Sequence, residues 1–108
     1  MGKGMKENQI LVIIKEPGKG PVVEPLFDNT LEAFQKAVGG FIETVTFSND
    51  VVVICNEEGL WLDLPHNVCI DGVNFCGTIL VVGTKGDEFS SLKASVVPSV
   101  MHMLEGDV

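Results

Sequence analysis

The sequence contains no arginine and no tyrosine, and its only tryptophan is Trp61. Its seven basic residues are all lysines and face 15 acidic residues, which gives a formal net charge of −8 at pH 7. Proteins that bind nucleic acid neutralise phosphates with lysine and arginine, and arginine side chains read many of the bases. The composition therefore argues against direct binding to nucleic acid.

Long apolar runs are also missing. The run at residues 10–14 is far shorter than the roughly 20 residues of a membrane-spanning helix. It is also too short for the apolar region of a signal peptide, and Lys15 and Glu16 stand where a cleavage site needs small residues. The three cysteines are an odd number, so a disulfide framework is not favoured. We expect a cytoplasmic protein with free thiols and no membrane association.

The remaining composition is that of a folded domain. Hydrophobic residues make up 45% of the 108 positions and charged residues 20%, which is ordinary for a globular chain that buries more than half of its surface. We expect residues 1–7 to be a disordered N-terminal segment and residues 8–108 to form a single α+β domain.

Alternating apolar residues predict a mostly antiparallel sheet, a meander of about five to six strands. The strand at residues 22–26 belongs at a sheet edge, because Pro21 and Pro25 cannot donate ladder hydrogen bonds. The main expected strands cover residues 9–15, 41–47, 51–55, 60–64 and 75–82, and two short segments, residues 22–26 and 68–70, could add to them.

One helix is expected at about residues 30–39 and should pack on the sheet. Asn29 can cap its start, and Gly39 can supply the left-handed conformation that ends it. Its apolar stripe consists of Leu31, Phe34 and Val38.

A short C-terminal helix is expected at about residues 98–105. Residues 83–87 read as a loop, and Ser90 or Ser91 could cap one helical turn. Pro98 is tolerated only in the first turn of a helix, so the last helix should begin at Val97 or Pro98. Its buried face would consist of Val97, Val100, Met101 and Leu104.

The reactive side chains do not form a recognisable site. Cys55, His66, Cys69 and Cys76 lack the paired spacing of zinc ligands, and a cysteine within an apolar strand behaves as a small hydrophobe. We therefore expect no catalytic residue, no metal ligand and no cofactor. The one local arrangement suited to thiol chemistry is His66 with Cys69, which keeps an enzyme as a third hypothesis.

The middle of the chain is acidic. Positions 37 to 84 hold six carboxylates and no lysine or arginine. Such a region can simply promote solubility, or it can meet a basic protein partner. The residues of this possible interaction surface are Glu43, Asp50, Glu57, Glu58, Asp63 and Asp71.

Loops with glycine offer a second kind of site, because backbone amides can approach a ligand there. Residues 16–21, 64–72 and 83–89 would line such a pocket for a nucleotide or metabolite. The candidate ligand-loop residues are His66, Asn67, Gly83, Thr84 and Gly86. Trp61 alternates with leucines in an expected strand, so we expect it to pack in the core, with an exposed binding anchor as the alternative.

Several segments together resemble a family of small proteins of unknown function carried by clostridial and other gut bacteria, their phages and mobile elements. The segments that carry the resemblance are residues 10–15, 29–34, 38–43, 54–59, 64–67 and 82–92. The resemblance implies a cytosolic protein in a mobile-element context, and it assigns no activity and no functional residue.

The leading hypothesis is a non-enzymatic accessory protein that binds a basic partner through an acidic surface. One form of it is a decoy that imitates DNA phosphates towards a host nuclease or repressor. The alternative is a protein that binds a nucleotide or metabolite. Oligomeric state does not follow from the sequence.

Overall fold

The computed structural model describes residues 8–105, so the disordered segment expected at residues 1–7 lies outside the described part of the chain. The elements in chain order are β1 (Gln9–Lys15), β2 (Val22–Asp28), α1 (Leu31–Val38), β3 (Ile42–Ser48), β4 (Val51–Asn56), β5 (His66–Ile70), β6 (Val73–Cys76), β7 (Ile79–Lys85), β8 (Glu88–Ser90) and α2 (Val97–Glu105).

The main sheet has the order β2-β1-β7-β4-β3, with β8 paired to β7, and β5 and β6 form a separate two-stranded sheet. All of these pairings are antiparallel. The α+β class and the mostly antiparallel sheet are therefore confirmed. The path is not one continuous meander, because β7 inserts between the hairpins β1–β2 and β3–β4.

Three predictions for residues 75–91 are wrong. The strand expected at residues 75–82 is two strands, because Gly77 takes a φ of 79° between β6 and β7. The loop expected at residues 83–87 is largely strand, since β7 continues to Lys85. Lys85 pairs with Glu88 across a two-residue turn. Gly86, at the first turn position, has a φ of 64°, which suits a tight hairpin. The strand β8 thus replaces the helical turn expected near Ser90.

Helix α1 is confirmed with a different cap. The Thr30 hydroxyl accepts a hydrogen bond from the Ala33 N–H at 3.1 Å. The Asn29 amide, expected to be the cap, instead donates to the Phe89 carbonyl. Gly39 ends the helix with a φ of 80°, as expected. Leu31 does not belong to the buried stripe, because it lies in the first turn and stays exposed.

Helix α2 is confirmed at Val97–Glu105. Val100 and Leu104 are buried, and Val97 and Met101 are half-buried. Neither helix of residues 8–105 is long and apolar enough to cross a bilayer.

The main sheet is covered on both faces, and β7 contributes to both cores. Leu80 and Val82 face the core that includes α1. Ile79 and Val81 face the core that includes α2 and the β5–β6 hairpin. Because consecutive side chains of a strand point to opposite faces, the uninterrupted apolar run of β7 is the pattern expected of a strand buried on both sides.

A buried polar link holds the β5–β6 hairpin against the main sheet. Lys15 is fully buried, and its ammonium donates to the Asn67 side-chain oxygen at 3.1 Å and to the Glu16 carbonyl at 3.0 Å. The Asn67 amide donates in turn to the carbonyls of Lys15 and Gly77. Buried polar groups are tolerated when their hydrogen bonds are made, so this link fixes where the hairpin sits.

Candidate functional site

Residues 57–64, which we call the tryptophan loop, expose a block of large apolar side chains. Trp61 is 89% exposed, and its neighbours Leu60 and Leu62 are 72% and 54% exposed. The strand expected at residues 60–64 is absent there, and turns take its place. The expectation that Trp61 packs in the core is therefore wrong, and the alternative position, exposed to solvent, is the one observed.

Asn56 fixes the start of the tryptophan loop. Its side chain is 6% exposed. Its amide donates to the Val38 carbonyl at 3.0 Å, and its oxygen accepts from the Glu58 N–H at 2.7 Å. The loop is thereby tied to the C-terminal end of α1, and a turn replaces the continuation of β4.

Hydrogen bonds inside the loop explain why it does not form a strand. The Leu62 N–H donates to the Glu58 carbonyl at 2.8 Å, and the Leu64 N–H donates to the Gly59 carbonyl at 3.1 Å. Asp63 has a φ of 58°, a left-handed conformation that aspartate tolerates better than most residues. Local bonds of this kind compete with a strand ladder. The loop is ordered by its own backbone while its side chains face solvent.

A cavity of about 240 Å³ lies beside the tryptophan loop. Glu43 and Val45 of β3 line one side, Trp61 lines another, and Asn74 and Phe75 of β6 contribute to the wall. The lining is mixed, with apolar surface next to a carboxylate and an amide.

Gly59 allows the loop to approach the β5–β6 hairpin. A Cβ atom at this position would lie 3.1 Å from the Cys76 carbonyl oxygen, tighter than an ordinary contact. A side chain at Gly59 would therefore push the loop away from the hairpin, and the cavity between them would change shape.

Four of the six predicted acidic residues lie around this site. Glu43 and Glu57 both line the cavity, and Glu58 and Asp63 belong to the tryptophan loop. All four are exposed. The tryptophan loop therefore carries three exposed carboxylates, Glu57, Glu58 and Asp63, in the same short segment as its exposed apolar side chains.

The other two acidic residues lie elsewhere. Asp50 is at the opposite end of β4 and forms a 3.0 Å ion pair with Lys93. Asp71 lies in the turn between β5 and β6 and has a φ of 50°. Four of the six predicted carboxylates therefore lie around the tryptophan loop and the cavity. Asp50, whose charge is partly neutralised by Lys93, lies apart from them.

Three of the candidate ligand residues, those of the glycine-containing segment at residues 83–89, have structural roles in the fold. A Cβ atom at Gly83 would lie 2.6 Å from the Ser91 carbonyl oxygen, so only glycine fits against that segment. The Thr84 hydroxyl donates to the Asn49 carbonyl at 2.8 Å. Gly86 forms the turn between β7 and β8. These residues lie at the end of β7 that is remote from Asn67.

His66 and Asn67, the other candidate ligand residues, lie in β5 rather than in a loop. Asn67 is buried and makes the hydrogen bonds to Lys15 and Gly77 described above. His66 and Cys69 are exposed. Residues three apart in a strand are separated by about 10 Å between Cα atoms, which does not favour a histidine–thiolate pair.

The cysteines differ in environment. Burial, with the negative charge of Glu43, raises the pKa of the Cys55 thiol to about 11, so Cys55 is protonated near neutral pH. Cys69 is exposed and Cys76 is partly exposed, and all three are free thiols. Among residues 8–105, no group of three or more histidine, cysteine or acidic side chains is arranged to hold a metal ion.

The cavity could not be found from the sequence. Its walls come from β3, the tryptophan loop and β6, which meet only because the hairpin folds back over the sheet. The single usable signal was Trp61 itself, flanked by leucines and followed by Asp63 in a region without basic residues.

Comparison with known proteins places the chain in a family. No curated protein and no solved structure matches it. A family profile described as "Domain of unknown function (DUF3846)" matches residues 7–105, which is nearly the whole chain. The chain therefore belongs to the DUF3846 family of unknown function.

Proposed function

We propose that this protein is a non-enzymatic binding module that docks on a basic protein partner through the tryptophan loop. The observation that carries the proposal is the exposure of Trp61 and two leucines on a loop held by its own hydrogen bonds. Tryptophan is enriched among the residues that dominate binding energy. An anchor that is already ordered loses little conformational entropy when it binds.

The charge around the loop supports a basic partner. Glu57, Glu58 and Asp63 belong to the loop, and Glu43 lines the adjoining cavity. Complementary charge mainly speeds association and selects the partner. Apolar surface supplies the affinity, so the mixed site favours a protein partner over a pure imitation of DNA phosphates. We place this binding in the bacterial cytoplasm and in the mobile-element setting that the family resemblance implies.

The test is a pull-down from a lysate of the encoding organism with the wild-type chain and with Trp61→Ala. The matched control is Leu31→Ala, since Leu31 is a large apolar residue 58% exposed on α1. We expect Trp61→Ala to weaken binding of the retained protein by at least about 30-fold, and Leu31→Ala to leave it unchanged. Retention of no basic protein at low salt contradicts the proposal.

A variant that lacks two of the carboxylates, compared with a control variant, tests the electrostatic part of the proposal. Replacing both Glu57 and Glu58 with glutamine should lower the association rate with the partner and make that rate less dependent on salt concentration. Exposed charges act mainly on the rate at which the two proteins meet. The control is the double variant Glu32→Gln/Glu88→Gln, which removes the same amount of charge from two exposed carboxylates outside the loop. Equal effects of the two double variants would mean that net charge, and not this site, attracts the partner.

A second candidate function is small-molecule binding in the 240 Å³ cavity. This cavity, with Asn74 and Glu43 as polar groups, replaces the glycine loops as the place for a ligand. Its volume is close to the lower end of known ligand pockets. In a thermal-shift screen of nucleotides and metabolites, a ligand at a hundred times its Kd adds about 2.7 kcal/mol of stability. A shift that Asn74→Ala abolishes would favour this function, and no shift with any compound would count against it.

A further inference from the structure

The two edge strands of the main sheet are protected to different degrees. The outer strand β2 contains Pro25, and the Glu24 carboxylate accepts a hydrogen bond from the Leu26 N–H at 3.2 Å. Prolines and occupied amides keep a sheet edge from pairing with another chain. The other outer strand, β3, has no proline, and within residues 8–105 no strand pairs with its outer side.

The register of β3 shows which backbone groups face outward. The Glu57 N–H donates to the Phe41 carbonyl at 2.8 Å, and the register continues with Glu43 opposite Cys55. In an antiparallel ladder the hydrogen-bonded and non-hydrogen-bonded positions alternate. The N–H and C=O groups of Thr44 and Thr46 therefore point away from β4. A bulge between Thr46 and Ser48 ends the regular edge.

This edge borders the proposed docking site. The side chains of Glu43 and Val45 line the same cavity as Trp61. A chain added beside β3 would run along the mouth of that cavity and place every second side chain on the cavity side. A lysine or arginine opposite Glu43 would form a cross-strand pair of opposite charge.

We propose that the partner's binding segment is extended and basic, and that it adds to the outer edge of β3 as a further strand. The inference rests on the proposed function and specifies how the partner binds. Backbone hydrogen bonds to Thr44 and Thr46 hold the segment, and contacts with Glu43 and Trp61 select its side chains. Strand addition of this kind separates affinity, which comes from the main chain, from side-chain specificity.

The experiment uses the full chain, labelled with ¹⁵N, and a synthetic octapeptide of alternating lysine and valine. Amide hydrogen exchange is measured by NMR with and without the peptide. We expect the exchange of the Thr44 and Thr46 amides to slow at least about tenfold when the peptide is present. A peptide in which every backbone nitrogen is methylated should not protect them, because neither of its edges has a donor left and the methyl groups block its approach to β3.

Substitutions at Thr44 supply the matched pair. Thr44→Pro removes an outward-facing N–H without removing a hydrogen bond to β4, and it should weaken peptide binding by about tenfold. Thr44→Val keeps the N–H and should bind like the wild type. If the proline variant does not fold, the exchange data and the methylated peptide still decide the question.

The remaining outcomes separate the inference from the proposed function. Peptide binding that changes Trp61 fluorescence but leaves both threonine amides unprotected overturns strand addition and leaves docking at the tryptophan loop intact. No peptide binding, together with a Trp61-dependent partner in the pull-down, likewise overturns strand addition alone. Protection that rises with protein concentration without peptide would assign the edge to a second copy of this chain and overturn the partner segment as its occupant.

Discussion

The strand β7 and the tryptophan loop each contain a run of consecutive large apolar side chains, but the run in β7 is fully buried and the run in the loop is more than half exposed. Ile79 to Val82 have no exposed surface, whereas Leu60 to Leu62 are all more than half exposed. Composition therefore does not decide burial here. The difference lies in the backbone, because β7 is paired on both sides and the loop satisfies its amides locally.

The largest change in unfolding free energy is expected for a substitution in β7, the buried member of this comparison. Leu80→Ala in β7 should lower the free energy of unfolding by about 3 kcal/mol, since it leaves a cavity in a packed core. Leu62→Ala, the same change in the tryptophan loop, should cost less than about 0.5 kcal/mol. Urea unfolding of both variants checks the contrast, and equal losses would contradict it.

The next largest effect concerns the buried Lys15–Asn67 link, which holds the β5–β6 hairpin and with it the β6 wall of the cavity. Asn67→Ala removes three hydrogen bonds and leaves the Lys15 ammonium without its amide partner. We expect a loss of about 2 kcal/mol in unfolding free energy, because unsatisfied buried groups are costly. Asn74→Ala, on the exposed side of the same hairpin, is the control. An unchanged stability of Asn67→Ala would mean that the hairpin does not depend on this link.

Cys55 lies between the core and the cavity and predicts a pH effect. Its pKa is raised to about 11 in the folded chain from 9.0, so the fold binds this proton more tightly than the unfolded chain does. The stabilising contribution is complete below pH 9 and is lost as the pH rises through about 11. The unfolding free energy should fall over that window more steeply for the wild type than for Cys55→Ala, and parallel profiles would contradict the assignment.

The same thiol gives a kinetic comparison. At pH 8 a thiol of pKa 11 has roughly a hundredfold less thiolate than an ordinary cysteine. Iodoacetamide should therefore label the exposed Cys69 first and Cys55 last, and mass spectrometry of partly labelled protein can read the order. Early labelling of Cys55 would show that its environment is open to solvent.

The smallest expected effect on stability is that of Trp61→Ala. Because the side chain is 89% exposed, its removal should change the unfolding free energy by less than about 0.5 kcal/mol. The same substitution is expected to weaken partner binding most. A loss above 2 kcal/mol in urea unfolding would mean that Trp61 supports the fold and is not held ready for a partner.

Much of the fold followed from local patterns. The strands β1 to β4 and both helices were predicted to within about two residues at each end, because breakers such as Gly39 and Pro98 mark their boundaries. The strand predicted at residues 60–64 is wrong, because the alternation of Leu60, Leu62 and Leu64 with other residues is typical of a strand but occurs here in a series of turns. What prevents a strand is the Asn56 side chain and the left-handed Asp63, which no alternation pattern reveals.

The candidate site was predictable only in part. The acidic residues Glu43, Glu57, Glu58 and Asp63 were identified from charge, but their grouping around one cavity depends on how the β5–β6 hairpin packs. That packing rests on Asn67 and Lys15, which are 52 positions apart. Contacts over such distances are set by tertiary structure, so a single sequence could name the side chains but not their arrangement.

The fluorescence of the single tryptophan tests the central claim most directly, because the chain has no tyrosine and all of its indole emission comes from Trp61. We predict that native protein emits nearly as far to the red as the urea-unfolded chain and that acrylamide quenches both to a similar extent. A blue-shifted emission, shielded from acrylamide until the protein unfolds, would place Trp61 in the interior and contradict its role as a docking anchor.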